Sequence, residues 1–281
     1  MSYKRRHCEE GGDAHRQGSS EARLFHPSLL LLVSLMIPAL LFLDRPLIRG
    51  DGVAYLAWLD TLILDQDLDF SNQLQRLQPV NTYQITWNAQ TQRFVNIFPF
   101  GIALLQAPFY LLGHLFARLG WWTLNADYFH QMQGVGLPYS MWLMIGANSL
   151  AIATVIIAWL LASRLCNRWL AAVVTWAVFI GSPLVYYSTV SPLNSHNGGT
   201  FMATLFVFLL AHTTGSFPIA EWRRDPPAYQ WLLLGLCGGI LTLVRWQMGL
   251  VAVGGLALVG WQRQWKGLAL AGTAMLLSLL P

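Results

Sequence analysis

The segment Arg49-Gly50-Asp51-Gly52 places a carboxylate between two glycines, directly before an apolar run that begins at Val53. Aspartate is a preferred N-cap, and its charge is favoured at the positive end of a helix dipole, so the pattern predicts that Asp51 stands at a helix N-terminus. Tyr55 follows four residues later and is expected on the same helix face. From position alone, a capping role and a chemical role for Asp51 are both open.

Three further carboxylates, those of Asp65, Asp67 and Asp69, alternate along the next segment. Alternating aspartates are typical of a calcium-binding loop, but Phe70 stands where that loop requires glycine and Arg76 where it requires a bidentate glutamate. The EF-hand is therefore excluded. A looser cluster that binds a divalent metal or a hydroxyl group and a solvated turn both stay open.

His196 and Arg245 are the two basic candidates. His196 lies in the segment Ser195-His196-Asn197-Gly198-Gly199, and histidine titrates near neutral pH and can hold or donate a proton. Arg245 follows Leu243-Val244 inside an apolar run, where a charge at membrane depth is costly. Arg245 either snorkels to the membrane surface or serves as a fixed cation for a lipid-linked phosphate.

The composition limits the elements that can position these residues. Of the 281 residues, 55% are apolar and only 11% are charged, which is too few polar side chains to cover a soluble surface. Long apolar runs exclude a soluble globular chain and a disordered one, and they predict an all-α, polytopic membrane protein. No basic patch with interleaved aromatics indicates nucleic acid, and the three cysteines lack the spacing of a zinc site or a disulfide framework.

Seven apolar runs predict about seven transmembrane helices after a polar cytoplasmic tail, residues 1–23. Pairs of basic residues in the short loops favour the cytoplasm and set the orientation, with the N-terminus inside. The predicted spans are Leu24–Leu43, Pro138–Ser163, Trp169–Tyr187, Gly198–Thr214, Tyr229–Gln247, Met248–Gln262 and Gly267–Pro281.

This orientation leaves residues 44–137 as one long outer loop that bears juxtamembrane helices. Within it, Phe98–Arg118 is apolar enough to cross a membrane, yet a crossing there would invert every later loop. We therefore expect a re-entrant or interfacial helix pair, since irregular backbone is tolerated at membrane depth when it packs against protein. The apolar end at Pro281 lacks an anchoring charge and predicts a truncated chain.

Under this topology all the chemical candidates lie at the outer face. These are Asp51, the cluster of Asp65, Asp67 and Asp69, and the basic pair His196 and Arg245. Carboxylates beside an arginine at the membrane edge suit a lipid-phosphate substrate and a hydroxyl acceptor.

At these residues the sequence resembles the GT-C-type membrane glycosyltransferases, which use polyprenyl-phosphate-linked sugars and include bacterial relatives of protein mannosyltransferases and aminoarabinose transferases. The resemblance spans roughly Leu24 to Gln262 and depends on the order of short motifs. The matching motifs are Gly50-Asp51-Gly52 with Tyr55, Leu64-Asp65-Gln66-Asp67-Leu68-Asp69, Phe98-Pro99-Phe100-Gly101, Ala107-Pro108-Phe109-Tyr110, Ser195-His196 and Leu243-Val244-Arg245.

The resemblance implies a GT-C-like module over residues 24–281 in a bacterial plasma (inner) membrane, with its active face outside. Asp51 would be the catalytic base toward an acceptor hydroxyl on a glycan, lipid or protein. The substrate-binding residues would be Tyr55, Asp65, Asp67, Asp69, His196 and Arg245. Many relatives carry Asp-Glu where this chain has Asp51-Gly52, so a divalent metal cofactor stays open. A transporter or flippase and an inactive truncated fragment are the alternative classes.

Overall fold

Apolar runs separated by short polar turns fold into a mostly helical chain. The computed structural model describes residues 26–45, 48–77, 84–123, 136–215 and 226–280, with the backbone alone for 121–123. Within these ranges the α-helices are α1 (Pro27–Leu43), α2 (Asp51–Asp60), α3 (Ser71–Leu77), α4 (Gly101–Thr123), α5 (Leu137–Ala162), α6 (Arg168–Gly181), α7 (Leu184–Thr189), α8 (Ser195–Thr214), α9 (Ala228–Val244), α10 (Gly249–Trp261) and α11 (Trp265–Ser278). A π-helix continues α2 over Thr61–Asp65, and a 3₁₀ turn over Trp246–Met248 joins α9 to α10.

Polar side chains set where three of the long helices begin. His26 accepts a hydrogen bond from the Ser28 amide at the start of α1. Asn167 does the same for α6, and Asn194 for α8, where its side chain accepts from the His196 amide at 3.2 Å. Each cap satisfies one of the backbone amides that a helix N-terminus leaves without a partner.

Helix α5 is the longest described helix, and two groups of helices share it. Its C-terminal half packs antiparallel to α1: the Asn148 amide donates to Asp44 at 2.8 Å, while His26 packs near the Trp159 ring, with centroids 6.3 Å apart. Its N-terminal half packs antiparallel to α4, because Gly113 lies against Tyr139 and Gly146 against Gln106. Residues 137–147 of α5 therefore extend beyond the end of α1.

Small residues allow close packing among the last helices. A side chain at Gly235 of α9 would overlap the Ala271 carbonyl of α11, and one at Gly267 of α11 would overlap the Trp231 ring. Buried residues of α8, α9, α10 and α11 form one apolar core, centred on Phe206, Leu234 and Leu241. Such small-residue contacts are typical of helix packing in membranes.

A β-hairpin, which the all-α prediction does not include, lies between α3 and α4. Strands β1 (Ile85–Asn88) and β2 (Arg93–Asn96) pair antiparallel, with Ile85 opposite Asn96. The Asn96 amide donates to the Ala54 carbonyl at 2.6 Å, and this bond fastens the hairpin to α2. The strands are four residues each, too short for an alternating pattern to stand out in the sequence.

The helices lie where the sequence predicts them, with one correction. All seven predicted spans contain helix, α6 and α7 sharing one of them. However, Phe98–Arg118 is mostly one continuous helix, α4, instead of a helix pair; Pro108 is accommodated inside it. The predicted tail, residues 1–23, lies outside the described residues, as do parts of the outer loop and Arg223 with Arg224, one of the basic pairs that set the predicted orientation.

Two described helices are long and apolar enough to cross a membrane, Gly101–Gly120 and Leu137–Ala162. Only 33% and 44% of their most apolar windows are buried inside the protein, so much of their apolar surface faces outward. The shorter apolar helices also expose large side chains, among them Phe42 at 83% and Leu250 at 79%. Exposed apolar surface on this scale indicates membrane association.

Candidate functional site

Asp51 is the first residue of α2, one position inside the helix. The N-cap is Gly50, whose φ of 54° is a left-handed conformation that favours glycine. The buried Gln84 amide donates to Asp51 Oδ1 at 3.2 Å. The carboxylate is half-buried, and its charge lies at the positive end of α2. Asp51 is therefore not the cap that its position in the sequence suggests.

Tyr55 lies one turn further along the same face of α2. Its side chain is 3% exposed and forms a hydrogen bond with Ser195 at the start of α8. Burial raises the pKa of the Tyr55 hydroxyl above its ordinary value, although the bond to Ser195 opposes the shift. Tyr55 is therefore a neutral hydroxyl at physiological pH, able to donate a hydrogen bond but not to act as a base.

Arg245 ends α9 and reaches across to α8. Its backbone leaves the helix in an extended conformation, and its Nη1 lies 2.5 Å from His196 Nδ1 and 3.3 Å from Nε2. Gly199 makes room for the aliphatic part of the arginine: a Cβ there would lie 3.1 Å from Arg245 Cδ. The guanidinium is thus bound to the first turn of α8.

Two sources of positive charge meet at the start of α8. Helix α8 has 20 residues, and its first-turn amides carry the positive end of the helix dipole. The Arg245 guanidinium adds a full positive charge beside this turn. Asp51 and Arg245 both interact electrostatically with Tyr55 and with His196. Four of the predicted site residues, namely Asp51, Tyr55, His196 and Arg245, therefore lie close together, and they include one carboxylate and one cation.

The three alternating aspartates lie elsewhere. Asp65 is 14 residues beyond Asp51 on the same helical segment, or about 20 Å along it at 1.5 Å per residue. Asp65 accepts from Asn72 at 2.8 Å, and Asp67 accepts from Thr61 at 2.8 Å. Asp69 accepts from the Ser71 amide at 3.1 Å, at the start of α3. Their carboxylates are used to fold the turn, and the structure does not bring them to Asp51.

A buried carboxylate that the sequence analysis overlooked stands near this turn. Asp60 is 1% exposed and forms an ion pair with Arg76. It also accepts hydrogen bonds from Gln73 at 3.2 Å and from the Tyr110 hydroxyl at 3.1 Å. The sequence does show Asp60 as a charge inside the apolar run Leu59–Leu64. This pattern could have identified it, since a buried charge requires partners.

Two side chains in contact with the site gave no sequence signal. Tyr187 of α7 stacks on the His196 ring, with centroids 4.2 Å apart and planes 8° apart. Gln84 reaches Asp51 from the residue before β1. Both contacts join segments distant in sequence, which neither spacing nor composition reveals.

Within the described ranges, no three side chains of His, Cys, Asp or Glu are grouped so as to hold a metal ion. Asp51 has an amide and a tyrosine as neighbours, and the aspartates at 65, 67 and 69 bond to nearby donors. Asp60 and Asp65 share the Gln73 amide as a donor, but no third such side chain joins this pair among the described residues.

Comparison of the chain with protein-family models, with curated proteins and with solved structures found no match. The resemblance to the GT-C class therefore depends on the short motifs. Of these motifs, those that hold Asp51, Tyr55, His196 and Arg245 converge in the fold, whereas the one that holds Asp65, Asp67 and Asp69 does not.

Proposed function

We propose that the chain is a membrane glycosyltransferase that moves a sugar from a polyprenyl-phosphate donor to an acceptor hydroxyl at the outer face. The observation that carries the proposal is the convergence of Asp51 and Arg245, 194 residues apart in the sequence, at the start of α8. A base and a fixed cation beside a helix N-terminus suit the transfer of a group away from a phosphate.

In the proposed reaction the acceptor hydroxyl attacks the anomeric carbon of the sugar and inverts its configuration. Asp51 takes the hydroxyl proton as the new C–O bond forms. The bond between the anomeric carbon and the phosphate oxygen breaks, and its electron pair stays on the phosphate. Arg245 and the first-turn amides of α8 stabilise the negative charge that develops there.

The proposed membrane topology has α1, α5, α6 with α7, α8, α9, α10 and α11 as seven spans. Contacts at both ends of the helices agree with this topology. At the proposed outer ends of α1 and α7, the Arg45 amide donates to the Thr189 carbonyl at 2.8 Å. At the other end, His26 packs against the Trp159 and Trp169 rings.

Helix α4 belongs to the outer region in this proposal, although its length would allow a crossing. Its first residue, Gly101, packs on the Leu243–Val244 backbone at the outer end of α9. From there α4 runs along residues 137–147 of α5, which extend beyond the end of α1. An arrangement of this kind suits an apolar hairpin at the outer membrane surface.

Substitution of Asp51 tests the proposed base. The reaction is measured as transfer from labelled undecaprenyl-phosphate hexoses and pentoses by the full-length protein in membranes. We expect Asp51→Asn to lower the rate about 100-fold or more, the usual effect of losing a general base. Asp67→Asn is the matched control, because that carboxylate lies in the distant turn. A wild-type rate in Asp51→Asn, or an equal loss in Asp67→Asn, would sink the proposal.

A transporter or flippase is the second candidate, and one feature favours it. Asp44, Asn148 and Asn197 each have a buried side-chain oxygen with no hydrogen-bond partner among the described residues. Polar groups between helices can mark a transport route. Lipid flipping that persists in Asp51→Asn but is lost in Asp44→Asn would favour this class over the transferase.

A further inference from the structure

Three side chains from three elements contact one another in a row beside the proposed phosphate site. The Tyr187 ring lies flat on the His196 ring, and His196 in turn receives a hydrogen bond from Arg245. The Arg245 Nη1 lies 2.5 Å from His196 Nδ1 and 3.3 Å from Nε2, so the cation borders both nitrogens of the ring. Burial and this neighbouring positive charge both lower the pKa of His196, which favours the neutral ring.

Helix α7, which carries Tyr187, is hydrogen-bonded to the end of α1. Helix α7 is short, but its Ser188 and Thr189 hydroxyls donate to carbonyls one turn earlier, at 2.6 and 2.8 Å. Both residues are buried, and the Thr189 carbonyl also accepts from the Arg45 amide at the end of α1. The backbone that carries Tyr187 is consequently anchored to the end of α1, and its ring packs on His196 of α8.

These contacts also restrict the side chain of Arg245. An arginine side chain has four rotatable torsions and loses considerable entropy when it is ordered. The Tyr187 ring holds the plane of the His196 ring, and contact with both nitrogens of that ring restricts where the Arg245 guanidinium can lie. The Gly199 surface supports the aliphatic part of the same side chain. The Arg245 guanidinium group is thereby oriented before a ligand binds.

We propose that Tyr187 is a positioning residue that, through His196, orients the Arg245 guanidinium for the phosphate of a lipid-linked ligand. The proposal rests on the proposed function, since it takes the phosphate group as the ligand of Arg245. Asp51 and Tyr55 of α2 are the other ionisable groups that interact with His196 or border it. Tyr187 touches neither the phosphate nor the sugar in this scheme.

Phosphate binding is tested with farnesyl phosphate as the probe and farnesol as its uncharged control. Affinity is measured on the purified full chain in detergent micelles by tryptophan fluorescence. We expect Tyr187→Leu and Arg245→Lys each to weaken farnesyl phosphate binding about tenfold, and Tyr187→Phe to bind nearly as wild type because it keeps the ring. Tyr229→Leu, at the exposed far end of α9, is the matched control.

Orientation is tested separately, without ligand, by the rate at which phenylglyoxal modifies Arg245, read by mass spectrometry with Arg263 as internal reference. We expect Tyr187→Leu to raise the rate at Arg245 and leave the exposed Arg263 unchanged, and a melting temperature near that of wild type shows that the variant is folded. An unchanged rate at Arg245, or equal losses in Tyr187→Phe and Tyr187→Leu, overturns the positioning role. A raised rate in a protein that does not bind farnesyl phosphate instead overturns the phosphate ligand and the proposed function.

Discussion

Asp44 is a second carboxylate at the end of α1, and its setting differs from that of Asp51. The Asn148 amide donates to its Oδ2 at 2.8 Å, whereas its Oδ1 is buried and has no partner among the described residues. Burial raises the pKa of the Asp44 carboxyl above its ordinary value of 3.8, although the bond from Asn148 opposes the shift. The folded protein therefore favours the neutral acid at this position more than the unfolded chain does.

We predict that Asp44→Asn stabilises the protein at neutral pH. A raised folded-state pKa means that wild-type stability falls as the pH rises from 3.8 through that pKa, because the folded carboxyl resists ionisation. Asparagine keeps an oxygen for Asn148 and carries no charge. The variant should melt about 2–4 °C higher than wild type near neutral pH, and this gain should vanish near pH 4. A melting-temperature difference independent of pH would contradict this account.

Four site residues could be identified from the sequence, since each is an unusual residue type in its segment. Asp51 stands between glycines, and Arg245 interrupts an apolar run. Tyr187 and Gln84 could not be identified, because their roles come only from contacts across the fold. The aspartates at 65, 67 and 69 looked like a binding cluster, yet the helix that precedes them carries them away from the site.

An ion pair on the buried Asp60 carboxylate and a hydrogen bond from Gln73 to the same group hold helix α3 to α2. Asp60 is 1% exposed, while the side chain of Arg76 is 32% exposed. Loss of one partner from such a pair is costly because the other charge stays buried. The pair therefore fixes how α3 packs on the α2 segment.

We predict that Arg76→Ala destabilises the protein by about 2 kcal/mol, less than for a fully buried pair because water reaches the arginine. The double variant Asp60→Asn with Arg76→Ala should recover part of this loss, since it leaves no unpaired charge. Thermal unfolding in detergent measures both effects. A double variant that is less stable than Arg76→Ala would show that the remaining charge is not the cause.

The close packing of α9 against α11 can be tested by substitution of a glycine. Gly235→Ala places a methyl group against the Ala271 carbonyl of α11 and should cost about 1–3 kcal/mol through overpacking. Gly254→Ala in α10 is the matched control, because nothing lies within 4 Å of its new Cβ. That control should gain up to about 1 kcal/mol from helix propensity. Equal melting temperatures for the two variants would show that α9 and α11 do not pack as described.

The positions of the long helices were predictable because apolar runs and polar caps mark them. The hairpin was not, since its two strands stabilise each other through pairing that single segments do not reveal. The helix pair expected over Phe98–Arg118 is absent, because α4 continues through Pro108, and a proline inside a helix is tolerated in membrane proteins.

The whole molecule has two ends, and the proposed topology assigns one to each side of a membrane. Cysteine labelling tests this in a chain whose three cysteines are replaced by serine. A membrane-impermeant maleimide should label Gln90→Cys in the hairpin turn and Arg118→Cys in α4 on intact cells. Leu165→Cys, exposed between α5 and α6, should react only after permeabilisation. Labelling of Arg118→Cys only after permeabilisation would mean that α4 crosses the membrane.

The contact of Gly101 with the Leu243–Val244 backbone has a consequence for the order of events during synthesis. The ribosome makes Arg245 194 residues after Asp51, on the order of 10 to 40 s later at roughly 5–20 residues per second. Throughout that interval the outer region lacks the surface on which α4 begins, and the carboxylate lacks its cation. Nascent chains shorter than α9 are thus exposed in the cell without a completed site. Chaperones and proteases of the membrane would meet the protein in that half-made form.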